Sequence, residues 1–149
     1  MRTAVMNNMS RDSAAASHVH ALRVYWEDTD AAGIVYYANY LKYAERARSE
    51  ILYAAGVDQT ELRETDGVVL AVRACNAEYL LPARLGDQLE VHTRVAAVKG
   101  ASFELRQTVM RGPEALVEMD VRLACLHHLS GKPARLPGAV KAVLSGTAE

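Results

Sequence analysis

Residues 27–40 read EDTDAAGIVYYANY. Glu27, Asp28 and Asp30 place three carboxylates within four positions, and Gly33, two branched apolar residues and a pair of tyrosines follow at once. A carboxylate pressed against so apolar a stretch is poorly solvated and more reactive toward an acyl group bound beside it. A helix starting near Tyr37 would turn unpaired N–H groups and a partial positive charge toward the loop that carries Asp30. Such donors stabilise a carbonyl oxygen that gains negative charge during reaction. A carboxylate that delivers a nucleophile and a main-chain donor that holds the developing charge are the minimum for attack on an activated acyl group.

The same residues admit plainer readings. Asp28 and Asp30 are equally suited to shaping a turn or capping backbone N–H groups. Gly33 serves either a tight turn or the close approach of a substrate to the backbone. A calcium loop matches at Asp28, Asp30 and Gly33, but its fifth position is Ala32 and its twelfth is Asn39, where a bidentate glutamate is required. Glu27 and Asp28 read as solvated or supporting groups, and Tyr36, Tyr40 and Tyr43 as core or subunit contacts.

The elements that must position this stretch are legible from periodicity. HVHALRVYW (18–26) is rich in branched and aromatic residues and predicts a strand. From about Tyr37 to Ala55, Leu41, Ala44, Arg48, Ile51, Leu52 and Ala55 recur at helical spacing, and Gly56 is placed to stop the helix. Strands are predicted over 68–81, 88–98, 102–111 and 115–129, separated by Gly86-Asp87, Lys99-Gly100 and Gly112-Pro113. The segment GKPARLP, with two prolines, should end the sheet. One strand, one long helix and four strands make an α+β layer whose exposed edges favour self-association. Residues 1–17 read as a flexible tail, 18–138 as one domain and 139–149 as a second tail.

Composition narrows the remaining chemistry. The 149 residues suit one domain, and a net charge of −1 gives no global attraction to nucleic acid or anionic lipid. Two cysteines, Cys75 and Cys125, make no disulfide framework, so a reducing cytoplasm is expected. The N-terminus lacks the apolar core of a signal peptide, and no run reaches membrane-spanning length. There is no GxSxG elbow and no glycine-rich phosphate loop. His18 and His20 share a strand face, but no third ligand is evident, and neither a metal nor a cofactor is expected.

EDTDAAGIVYYANYLKYAERAR resembles the signature of the hotdog-fold acyl-CoA thioesterases, and within them the 4-hydroxybenzoyl-CoA thioesterase group and its YbgC-type relatives. EYLLPARLGDQLEV (78–91) and KPARLP (132–137) resemble the same family, so the likeness covers residues 21–137. It implies a long helix wrapped by a five-stranded antiparallel sheet, with sites at the interface of a homodimer or homotetramer. It implies that Asp30 is the catalytic carboxylate and that the Tyr37 N–H polarises the thioester carbonyl. It also implies acyl-CoA as substrate, and Tol–Pal or lipid-synthesis proteins as peripheral partners. YbgC-type members usually carry histidine where Tyr37 stands, and the hydroxybenzoyl enzymes carry tyrosine there. A main-chain donor survives that change, whereas substrate preference need not. Coenzyme A bears several phosphates, so a basic rim is expected, with Lys99, Ser102, Lys132 and Arg135 as candidates. The apolar stretch 68–72 is a candidate lining for the acyl group. A hotdog dehydratase or hydratase normally needs a histidine, and none lies on the loop or helix. A non-catalytic acyl-CoA or acyl-carrier sensor is the remaining alternative.

Overall fold

A computed structural model describes residues 17–146. The predicted N-terminal tail lies outside the described residues except for Ser17, which opens the first strand. Five strands follow as β1 (Ser17–Arg23), β2 (Val68–Tyr79), β3 (Gln88–Val98), β4 (Ser102–Arg111) and β5 (Glu114–His127). They form one antiparallel sheet in the order β1-β3-β4-β5-β2. The long helix α1 (Asn39–Ala54) lies against one face of it. This is the α+β hotdog architecture that the sequence predicts.

Alternation explains why only one face is covered. Phe103, Leu105 and Val109 of β4 and Val117, Met119, Val121 and Leu123 of β5 are buried toward the helix. On the opposite face Arg106 reaches across to Glu118 at 2.8 Å and Asp120 at 2.9 Å. Such partly exposed pairs add little stability, but they keep that face wet.

The helix packs on a stripe of Tyr40, Tyr43, Ala44, Ala47 and Leu52. Leu41, assigned by periodicity to the apolar face, is exposed instead, because the tyrosine stripe turns it outward. The alanines, both fully buried, let the helix come close enough for a polar side chain to bridge to it. Gln107 of β4 donates from Nε2 to the Ala44 carbonyl and to Thr93 Oγ1, each at 3.0 Å, and its Oε1 accepts from Arg48 at 3.0 Å. Each polar atom of this buried amide is therefore satisfied. Gln107→Ala is expected to cost about 3 kcal/mol in urea unfolding, because it strands buried partners as well as leaving a void.

Helix α1 ends as its spacing predicts. Gly56 has φ +77°, Gly56 N–H donates to the Tyr53 carbonyl, and Val57 N–H donates to the Leu52 carbonyl. This is the paired bonding that a left-handed glycine permits.

Two features lie outside the sequence reading. Residues 59–66 form a short helix α2 (Gln59–Glu61), capped by the Asp58 carboxylate, that runs into a π-helical turn (Leu62–Asp66). The segment from 139 onward, read as a tail, begins inside a helix α3 (Gly138–Leu144), and Val140 and Leu144 are buried in the core. Its three-to-four spacing of apolar residues is too short to stand out in sequence, and only packing against α1 and β3 fixes it. Among the described residues, no helix is long and apolar enough to cross a membrane.

Candidate active site

The DTD stretch is held by its first aspartate. Trp26–Asp28 make one 3₁₀ turn after β1, and Asp28 is the buried carboxylate of the group. Its Oδ2 accepts the Tyr25 N–H at 2.8 Å. Its main-chain carbonyl accepts the Tyr36 N–H at 3.0 Å and Asn39 Nδ2 at 2.8 Å. Residue 28 thus ties together the entry to the loop, its exit and the first residue of α1. Behind it sits the buried Tyr43, whose hydroxyl makes no hydrogen bond of normal geometry. Burial first, and the Asp28 charge second, raise the Tyr43 pKa above its ordinary value.

Asp30 occupies the loop so anchored. Its N–H donates to the Ile34 carbonyl at 2.9 Å, and its carbonyl accepts the Gly33 N–H at 3.0 Å. Gly33 adopts φ +79°, and a Cβ there would meet nothing within 4 Å. Turn geometry alone therefore requires this glycine within one protomer. The Asp30 Oδ1 accepts the Ala32 N–H at 2.8 Å. The carboxylate is exposed in the protomer, contrary to the expectation of a poorly solvated group, because only Ala31, Ala32 and Gly33 surround the loop tip. The bridge between Ile34 and Arg84 and the bond from Val35 N–H to the Ala83 carbonyl fasten the loop to the 80–87 turn.

Helix α1 begins two residues later than Tyr37. The Asn39 N–H donates to the Tyr36 carbonyl and the Tyr40 N–H to the Tyr37 carbonyl. The N–H groups of Tyr37 and Ala38 have no partner among the described residues. They remain available donors at the positive end of the helix. A groove of about 320 Å³ opens beside Tyr37, lined also by Ile34, Tyr40, Tyr79, Leu80 and Leu81. The Tyr79 ring stands edge-on to Tyr37 and lies 5.8 Å from Tyr40, whose buried hydroxyl accepts the Ala83 N–H at 2.9 Å. Asp30 is not among the lining residues of this groove.

The four candidate coenzyme contacts come together, but elsewhere. The Lys99 N–H donates to the Ser102 carbonyl in the β3–β4 turn. The segment carrying Lys132 and Arg135 crosses that turn, with the Leu136 N–H donating to the Gly100 carbonyl. The Lys99, Lys132 and Arg135 side chains are exposed. β3 separates this corner from the Asp30 loop, so the two lie roughly 35 Å apart in one protomer, at about 3.3 Å per residue over its length. The stretch 68–72 does not line the Tyr37 groove either; Leu70 and Val72 line a second cavity under α1.

Asn39 and Tyr79 escaped the sequence reading. Asn39 had a signal, an amide at the head of a helix within a tyrosine cluster, but the length of its reach to residue 28 was not visible. Asn39→Ala is expected to lower melting stability by about 1 kcal/mol through loss of one part-buried hydrogen bond. Because that bond sets the loop against the helix start, kcat should fall about tenfold while KM changes little.

The fold and the site define a class, the hotdog thioesterases, and the chain belongs to the thioesterase-like superfamily, whose sequence profile matches residues 24–144. The chain is 40% identical over 121 residues to an acyl-CoA thioesterase YbgC of Haemophilus influenzae, covering 81% of this chain and 89% of that one. It is 33% identical to an acyl-CoA thioesterase YbgC of Helicobacter pylori, covering 83% and 96%. The crystal structure of a probable thioesterase from Bartonella henselae superposes with a TM-score of 0.78 at 37% identity, covering 82% of this chain and all of that one.

Proposed function

We propose that this protein hydrolyses acyl-CoA thioesters, with Asp30 as the catalytic carboxylate and the Tyr37 N–H as the donor to the thioester oxygen. The observation that carries this reading is the pair of partnerless N–H groups at the head of α1, beside an apolar groove and one anchored loop away from Asp30. In the reaction the carbonyl carbon is attacked by water that loses its proton to Asp30, or by Asp30 itself to give an anhydride that water then opens. Either way the carbonyl oxygen gains charge against the N–H, and the C–S bond breaks to release the CoA thiolate. A thiolate is a good leaving group, so no general acid is required.

The site is built by two subunits. β2 is an edge strand of twelve residues, and near its end Tyr79, Leu80 and Leu81 are 44–49% exposed. A long, partly apolar edge of this kind is satisfied by pairing with its own copy. Antiparallel pairing of two β2 edges sets the Tyr79 end of one subunit against the Val68 end of the other. The Val68 end is bonded to the basic corner, through the His128 N–H on the Gly67 carbonyl and the His127 N–H on the Lys132 carbonyl. The second subunit would thereby cover Asp30 and bring Lys132 and Arg135 toward the Tyr37 groove, with Lys99 and Ser102 behind them. A homodimer, or a tetramer made of two such dimers, is the working unit. Its two free cysteines support a reducing cytoplasm as its location, with Tol–Pal components or lipid-synthesis proteins as the candidate peripheral partners.

The test is release of free thiol from a panel of acyl-CoAs. Turnover supports hydrolysis; tight binding with no thiol release from any substrate assigns the protein to acyl-CoA sensing instead.

A further inference from the structure

Arg48 sits on the face of α1 that overhangs β2 and β4, and its guanidinium is half-buried. Its Nη1 donates to Gln107 Oε1 at 3.0 Å. Among the described residues no carboxylate lies within ion-pair distance of it. Glu45, one turn earlier, instead accepts a hydrogen bond from Ser49 Oγ at 2.8 Å. Burial lowers the Arg48 pKa, with the Glu45 charge opposing that shift. A guanidinium has five N–H donors, and a cation withdrawn from water is ordinarily paired.

What Arg48 faces is a cavity of about 150 Å³ between α1 and the sheet. Its floor is apolar, with Leu52, Leu70, Val72 and Phe103, and its polar lining is Glu45, Arg48, Ser49 and Gln59. The space equals roughly five waters at about 30 Å³ each, enough for a short chain but not for a coenzyme. An apolar trough that ends on a cation with no carboxylate partner and donors to spare suits a hydrocarbon segment ending in an acceptor oxygen.

We propose that this cavity receives the distal end of the substrate's acyl group and that Arg48 selects acyl groups bearing a terminal acceptor oxygen, a hydroxyl or a carboxylate. The inference rests on the thioester-hydrolase reading above. Arg48 lies about 14 Å along the helix from Asn39, at 1.5 Å per residue, farther than a short acyl group extends from a thioester held at Tyr37 of the same chain. Leu70 and Val72 belong to the half of β2 that antiparallel edge pairing turns toward Tyr79 of the other copy. The cavity of one subunit therefore completes the site of its partner. The Tyr37 groove holds the thioester, and the partner's cavity reads the tail.

The experiment compares kcat/KM for hexanoyl-, 6-hydroxyhexanoyl- and adipyl-CoA. Wild type is expected to favour at least one oxygenated substrate by about tenfold or more, the worth of one hydrogen bond to a charged group. Arg48→Met, which keeps the apolar stem, should bring that ratio close to one, and Arg48→Lys should retain part of it. The hydroxyl and carboxylate arms identify which oxygen is read. No preference in wild type, or the same preference in Arg48→Met, overturns the proposal. Should Arg48→Met fail to fold, an unchanged ratio in Arg48→Lys overturns it and a threefold or greater fall supports it. No thiol release from any acyl-CoA overturns the hydrolase reading itself, a different outcome from release without discrimination.

Mixed dimers of Asp30→Asn and Arg48→Met subunits decide which chain supplies the arginine. One intact site with the wild-type ratio supports Arg48 acting across the interface. A ratio near one places Arg48 with its own subunit's site and overturns the cross-subunit assignment.

Discussion

Asp30→Asn is expected to lower kcat for thiol release by about 10²–10⁴-fold, the range for loss of a positioned acid–base group. The substitution is a clean test because asparagine keeps an Oδ1. The 2.8 Å bond from the Ala32 N–H to Oδ1, which shapes the loop, is retained. Gly33 keeps its turn, and Asp28, buried two residues away, still ties residue 36 and Asn39 to the loop. Melting temperature and KM should therefore stay close to wild type while turnover collapses. Turnover at the wild-type rate would remove Asp30 from the chemistry. A second carboxylate would then be needed, and Asp28 is a poor replacement, since it is buried and already accepts the Tyr25 N–H.

Tyr37→Pro is expected to lower kcat by about 10²–10³-fold, the typical effect of losing one oxyanion donor. Proline removes the main-chain N–H, which has no partner among the described residues, together with the Tyr37 ring and its contacts with Tyr36 and Tyr79. Proline is tolerated at the start of a helix, where its fixed φ suits the first turn. Tyr37→Phe, which keeps the N–H and most of the ring contact with Tyr79, should stay within about threefold of wild type if the donor is the main chain. Tyr37→Ala, which keeps the N–H and removes the ring, should retain more activity than Tyr37→Pro and so separates backbone from side chain. Equal loss in both would assign the effect to the phenol. No loss in Tyr37→Pro would shift the donor to the neighbouring Ala38 N–H, the other partnerless group at this helix end.

Asn39 links the Asp30 loop to the start of α1. Its side chain donates to the Asp28 carbonyl in the loop, while its own N–H donates to the Tyr36 carbonyl at the helix start. For this reason Asn39→Ala and Asp30→Asn should not combine additively. Once the carboxylate is gone, misplacing it costs nothing further, so the double variant should match Asp30→Asn alone.

The helix, its Gly56 stop and the hairpins β3–β4 and β4–β5 were readable from residue order, because each is set by neighbours a few positions apart. A 3.6 period, a left-handed glycine and a two-residue change of strand direction are local facts. The DTD run with its following glycine was readable as a reactive or turn-forming loop for the same reason. The supporting role of Asp28 was an expectation there, but the contacts through which it supports the loop were not visible. Asp28 and Asp30 are of one type and two residues apart, and only the folded chain shows that the Asp28 carboxylate is buried on the Tyr25 N–H while Asp30 is exposed.

The amino-acid order alone thus determined the five strands, the long helix and the family, and it raised the expectation of a carboxylate set against a helix start. Tertiary structure decided what depends on contacts between distant residues. It satisfied Gln107 in the core, folded residues 138–144 onto α1, left the β2 edge open and put the basic corner at the far end of β3 from Asp30. The physical reason is range: backbone geometry and periodicity act over one or two turns. Burial, edge exposure and the direction an arginine faces are properties of the packed chain, and pattern alone does not carry them.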